Sequence, residues 1–147
     1  MERTMLDLIK TSFGCEERDV RSYSPLTLAY IGDGVYDLVI RTLVVERANR
    51  PPNELHKLTS AYVKAEMQAK IIVALKDELT EEEAQVFKRG RNAKPYTTAK
   101  NATRADYHKA TGFEAVMGYL YLTGQNQRML ELIRHGLELM EDGTAHE

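Results

Sequence analysis

The sequence has one cysteine, Cys15, so it can form no internal disulfide and holds no cysteine-based metal cluster. Its 4 prolines and 9 glycines are too few to support long disordered tracts. No apolar run approaches the roughly 18–20 residues that a membrane span requires, so no membrane partner is expected. The opening "MERTMLDLIK" lacks the basic stretch and cleavage site of a secretory leader, which makes a reducing, cytoplasmic setting the expectation. His56, His108 and His135 show no HxxxH or HxxH spacing and His146 lies in the tail, which argues against zinc. No nucleotide cofactor is expected. There is no internal repeat, no low-complexity segment and no convincing strand alternation.

What is present is ordinary for one globular domain spanning 1–147: 43% hydrophobic and 29% charged residues in a chain long enough for a core. Helical spacing recurs throughout. Residues 3–11 place Met5, Leu6 and Ile9 on one face, with Gly14 as a stop. Ser24 before Pro25 is a helix start, and Leu28, Ile31, Val35, Leu38, Val39 and Thr42 then recur at three- and four-residue steps as far as Pro51-Pro52. That helix is apolar on most of its circumference, as core helices are. One or two helices follow, with Asn53 as the expected cap. Thr80 with Glu83 forms a capping box, and Gly90 is read as the end of that helix. Residues 91–103 read as an exposed loop, 105–124 as a second largely apolar helix and 127–141 as an amphipathic closing helix, before a frayed tail over 141–147. The expectation is an all-α domain of six or seven helices.

Asp33 stands out in "LAYIGDGVYDLVIR". A carboxylate within a buried helix is costly unless paired, and Gly32 and Gly34 on either side would let another helix or a phosphate approach the backbone. Asp37 lies one turn on, on the same face. Glu114 sits in "TGFEAVMGYLYL", where the small residues at 111–112, 115 and 118 form one side of a helix and permit close packing beside it. Two carboxylates from separate helices, with glycines giving access, suit Mg²⁺, which takes oxygen ligands and keeps several waters. Asp33 is the expected principal ligand and Glu114 the second, together holding a water for attack on phosphorus, with Mn²⁺ able to substitute.

The net charge of −2 and pI near 6.1 do not advertise a polyanion binder, but the distribution does. Residues 88–104, "KRGRNAKPYTTAKNATR", carry Lys88, Arg89, Arg91, Lys94, Lys100 and Arg104 and no acid. Asn92, Tyr96, Thr97, Thr98 and Asn101 are interleaved, side chains that bond phosphates and ribose hydroxyls. The RNA-binding set expected is Lys88, Arg89, Arg91, Asn92, Lys94, Lys100 and Arg104.

With those residues in view, the chain resembles the ribonuclease III family. "AYIGDGVYDLVIR" is similar to the family's signature helix, "TGFEAVMGYLYL" to its second acidic helix, and "LHKLTSAYVKAEMQAKI" to the helices between them. "FKRGRNAKPYTTAKN" points to the small Mini-III group, which has the catalytic domain without an appended RNA-binding domain. The likeness runs over about 24–140. It implies an all-α, magnesium-dependent nuclease acting as a symmetric homodimer, each subunit cutting one strand of duplex RNA to leave 5′-phosphate and 3′-hydroxyl ends. For the Mini-III group it implies precursor 23S rRNA as substrate, matured at both ends, and thus rRNA processing and ribosome biogenesis. The family's usual four acids are only half present, since the other two positions are Ala29 and Thr111 here. A looser site with more water ligands follows, and Asp37 could add an outer-shell contact through water.

A dimer also has a physical motive, since a second copy would cover apolar surface of the 28–45 helix that a short chain cannot. His56 and His108 read as core or surface residues. Two other functions fit the same residues: a catalytically silent RNA-binding ribosome-assembly factor on this fold, and a helical interaction domain whose basic loop contacts a protein or another anionic surface.

Overall fold

The computed structural model describes residues 3–93 and 103–142. Among them are seven α-helices, two short 3₁₀ turns and no strand. Helix α1 (Met5–Phe13) begins at a Thr4–Asp7 capping box and stops at Gly14, whose φ of 61° is the left-handed conformation that favours glycine. The remaining helices are α2 (Pro25–Arg47), α3 (Pro52–Val63), α4 (Ala65–Leu75), α5 (Glu81–Asn92), α6 (Arg104–Leu122) and α7 (Asn126–Glu141).

Ser24 caps α2 by accepting the Thr27 amide at 3.2 Å, with Pro25 at the first helical position as expected. Asn53 does not cap α3. The helix starts one residue earlier at Pro52, with Pro51 at the N-cap and no side-chain cap bond. Proline's fixed φ presets the first turn, and its missing N–H leaves one fewer donor to satisfy.

Gly90 does not end α5 either. The helix continues to Asn92, and Gly90 is buried against α6, where an added Cβ would lie 2.9 Å from the Ala115 Cβ and 3.0 Å from the Gly112 Cα. The glycine serves close packing rather than termination. Lys94 and Lys100, with the rest of 94–102, lie outside the described residues, as does the tail from 143 on.

Helices α2 and α6 cross at the centre of the core. A Cβ on Gly32 would collide with the Glu114 carbonyl and lie 2.7 Å from the Gly118 nitrogen. A Cβ on Gly118 would in turn strike the Leu28 carbonyl. Backbone therefore meets backbone, which the small residues at 111–112, 115 and 118 allow. Beside the crossing, Tyr36 packs edge-on against Phe113 with ring centroids 5.1 Å apart, and its hydroxyl donates to the Tyr62 carbonyl at 2.9 Å. Ile71, Ile72 and Leu75 of α4 and Leu132 and Ile133 of α7 complete the core.

Helix α2 is central in the core, as its apolar sequence leads one to expect, but one chain does not cover it all round. It buries Leu28, Ala29, Gly32, Tyr36, Ile40 and Val44, a single stripe, while Tyr30 and Leu38 are 83% and 65% exposed. Within one chain the helices packed on α2 cover one side of it. Helix α1 buries nothing, and its Met5, Leu8, Ile9 and Phe13 all face outward.

Candidate active site

The α2–α6 crossing brings together two carboxylates that are far apart in sequence. Asp33 follows the contact glycine of α2 and is exposed. Glu114 supplies the carbonyl that Gly32 abuts and is half-buried. Their side chains are close enough for Asp33 to act on the Glu114 carboxyl. Gly34, on the other side of Asp33, has nothing within 4 Å of an added Cβ, so space beside the acid is open.

Burial first, and then the hydrogen bond and negative charge of Asp33, push the Glu114 carboxyl up to about 8. The Gln68 side-chain amide opposes the rise by favouring the charged form. With no base between them among the described residues, the two acids hold a proton where they could hold a cation. The donor set, carboxylate oxygens with an amide alongside, fits a hard divalent ion that retains water. Among the described residues no group of three or more His, Cys, Asp or Glu side chains is arranged to bind a metal, so an ion held here would draw most of its ligands from water and substrate.

Asp37 is differently engaged. Its carboxylate accepts from Arg41 Nε at 2.7 Å, one turn along the same helix. Arg41 thus lies on the helix that carries both acids, and it serves Asp37. The positions corresponding to the family's other two acids are buried and supply no carboxylate: Ala29 is 6% exposed, and Thr111 turns its hydroxyl back to the Tyr107 carbonyl at 3.0 Å.

The basic segment begins inside α5 rather than in a loop. Lys88, Arg89, Arg91 and Asn92 occupy its last turns, and Gly90 among them docks on α6 at Thr111–Ala115. Phe87 packs on Gly112, and the Arg91 guanidinium sits 5.6 Å from the centre of its ring. Arg91 Nε also donates to Asn92 Oδ1 at 3.3 Å. Arg104 opens α6 just after its Thr103 cap. The described part of the basic segment thus brackets the helix that carries Glu114.

His135 lies away from this crossing, bonded through Nδ1 to Glu78 at 2.7 Å. Close by, Glu83 is 2% exposed and accepts two bonds from Arg128, each 2.9 Å. Burial would raise the Glu83 carboxyl, but Arg128 and the Thr80 amide outweigh it and hold it low. That pair ties α5 to α7.

Sequence reasoning missed Gln68. It is the one polar side chain on the face of α4 that carries Ile71, Ile72 and Leu75, and it is 1% exposed. A polar residue in register with a buried stripe is the signal that could have found it.

Comparison with known proteins adds an independent line. A sequence model of the ribonuclease III domain matches residues 26–125. The chain is 43% identical to a Mini-ribonuclease 3 of a Thermoanaerobacter species over 97% of its own length and 100% of the relative's. It is 45% identical to the Mini-ribonuclease 3 of Clostridium tetani over 89% and 87% of the two chains. It is 48% identical to that of Enterococcus faecalis over 79% and 89%. Among solved structures, a Fusobacterium nucleatum protein of 30% identity superposes with a TM-score of 0.75, covering 83% of this chain and 99% of that one.

Proposed function

The chain belongs to the ribonuclease III family and is an endoribonuclease of double-stranded RNA; from that premise we propose that it works with Mg²⁺ held jointly by Asp33 and Glu114, and that precursor 23S rRNA is its substrate. The observation that carries the metal reading is the meeting of two carboxylates at the α2–α6 crossing with no countercharge beside them among the described residues. When bound, Mg²⁺ would supply Lewis acidity at the scissile phosphate and a water ligand more acidic than bulk water. Asp33, exposed, is the ligand a substrate phosphate can approach. Glu114, behind it, would hold the ion with its carboxylate in the ionised form. Backbone contact between α2 and α6 fixes the spacing of the two acids, so little is left to reorganise at reaction. Hydrolysis delivers water's hydroxyl to phosphorus and its proton to the departing 3′ oxygen, giving 5′-phosphate and 3′-hydroxyl ends.

Lys88, Arg89, Arg91, Asn92 and Arg104, with Lys94 and Lys100, would contact RNA phosphates and riboses. Phosphate contacts orient a duplex without reading its sequence, which suits a nuclease guided by helical shape. A homodimer is part of the proposal. The outward apolar side chains of α2, together with a groove of about 400 Å³ lined by Val39, Leu43, Leu130, Ile133 and Leu137 and edged by Arg47, Arg134, Glu138 and Glu141, are surface that a second copy would cover.

Incubating purified protein with an end-labelled RNA duplex, with and without Mg²⁺, tests the reading. Cleavage that needs the metal, and that disappears in Asp33→Asn while duplex binding persists, is the expected result. Full activity in excess chelator, or in Asp33→Asn, would refute it. One observation favours a second reading, a silent RNA-binding factor, namely that Ala29 and Thr111 supply no carboxylate. Binding without cleavage of any duplex would select it.

A further inference from the structure

Between α2 and α3 lies a cleft of about 190 Å³, walled by Val44 and Leu55 and lined on its polar side by Arg41, His56 and Thr59. Nothing in the reaction as described uses it. Thr59 is 5% exposed, yet its hydroxyl makes no hydrogen bond among the described residues. The hydroxyls of Thr42, Thr111 and Thr123 each turn back to a carbonyl of their own helix, so Thr59 departs from the pattern of this chain. A hydroxyl so enclosed and without a partner costs stability, which a valine in its place would not. His56 is exposed and likewise unpartnered among the described residues, whereas His135 is held by Glu78. Arg41 gives Nε to Asp37 at 2.7 Å, which fixes the guanidinium and leaves its two terminal amino groups free among the described residues.

The three side chains offer N–H and O–H donors and no carboxylate, which is the donor set of an anion site. The surrounding charge agrees. Over residues 41–59, Arg41, Arg47, Arg50 and Lys57 stand against Glu46 and Glu54, in a chain whose net charge is −2. Arg47, Arg50 and Lys57 are exposed and in no ion pair among the described residues. The cleft is smaller than the roughly 300–1,000 Å³ of sites that enclose whole small molecules, so a single phosphate is the size of group it takes. Asp33, Asp37 and Arg41 follow at four-residue steps, which puts the cleft and Asp33 along one side of α2, about 12 Å apart on its axis. We propose that this cleft holds a backbone phosphate of the RNA, other than the one cut, through Arg41, His56 and Thr59. The inference extends the RNA-binding reading above, on which it rests. A single anchor over 88–104 leaves a rigid duplex free to pivot, and a second one on α2 and α3 fixes its direction over the acids.

Thr59→Val removes the hydroxyl and keeps the shape of the side chain. The Kd for a short RNA duplex, measured without Mg²⁺, is expected to rise roughly tenfold, while the thermal midpoint stays at or above that of the parent. Arg41→Gln should lower the slope of log affinity against log salt by roughly one unit or less. Duplexes that each carry one methylphosphonate, which removes a single backbone charge, then identify the contact. One position should weaken binding to the parent and make no difference to Arg41→Gln, and this comparison decides even if Thr59→Val does not fold. Absence of any such position overturns the proposal. So does unchanged RNA affinity in both variants while Arg91→Ala loses it. Inorganic phosphate supplies another arm: if it shifts the His56 ring resonances and the duplex does not, the cleft serves a free anion and the RNA assignment falls. A changed sedimenting mass in Arg41→Gln, with RNA affinity per protomer preserved, would assign the cleft to contact between copies and overturn the proposal too. Failure of the parent itself to bind duplex RNA would instead defeat the RNA-binding reading and this inference together, so the two failures are told apart.

Discussion

The neighbouring glycines of α2 offer a sharp contrast. At Gly32 an added Cβ collides with the Glu114 carbonyl and sits 2.7 Å from both the Glu114 carbonyl carbon and the Gly118 nitrogen. These are backbone atoms in the middle of a helix, so no rotamer change relieves the clash. The helices must part, and the Tyr36–Phe113 contact beside them loosens. Overpacking that side chains can absorb costs about 1–3 kcal/mol, so Gly32→Ala should cost at least the upper end, about 3 kcal/mol. For a domain of this size that corresponds to a fall in Tm of roughly 6–12 °C. Gly34 is two residues along the same helix, and an added Cβ there meets nothing within 4 Å. Gly34→Ala should therefore gain the helix propensity of alanine, about 0.5–1 kcal/mol. Urea unfolding of the two variants beside the parent, with thermal melts in parallel, measures both. The reasoning is refuted if Gly32→Ala is as stable as Gly34→Ala, because the backbone contact that positions Glu114 would then not exist.

Three further outcomes follow from the same geometry. Because Glu114 binds its proton up to about 8 in the folded, metal-free chain but only to about 4.5 ordinarily, the unfolded state holds fewer protons between those values. Stability should thus fall as pH rises through that window, by at most about 1.4 kcal/mol per unit, and pH-dependent urea melts of Glu114→Gln should lack that slope. Arg128→Ala strands the buried Glu83 carboxylate with only its Thr80 partner. A loss of about 3 kcal/mol at neutral pH is expected, shrinking in acid as Glu83 is protonated, and chemical denaturation at two pH values reads it. For the basic segment, Arg91→Ala and Lys94→Ala should each reduce the slope of log affinity against log salt for duplex RNA by roughly one unit or less. An unchanged slope in filter binding would place the RNA elsewhere.

Much of this was legible in the sequence where local chemistry decides. The capping box at Thr80, the Ser24–Pro25 start and the Gly14 stop are determined by atoms within a few residues of one another. The small residues around Glu114 likewise announced a close helix crossing. Local rules failed where tertiary packing reassigned a residue. Gly90 reads as a terminator in one dimension but serves as a contact surface for Gly112 and Ala115 in three. Leu38 fits an apolar period yet faces outward, because periodicity reports that a face is apolar and not which neighbour covers it. The service of Arg41 to Asp37 depends on side-chain directions that spacing alone does not fix.

Crystals soaked in Mn²⁺ and measured at its absorption edge test the central claim most directly, since the anomalous peak marks the ion itself. The account predicts a peak at the α2–α6 crossing within bonding distance of carboxylate oxygens from both Asp33 and Glu114, absent from crystals of Glu114→Gln. A well-occupied ion bound elsewhere, or one that touches only one of the two acids and survives loss of the other, would contradict it.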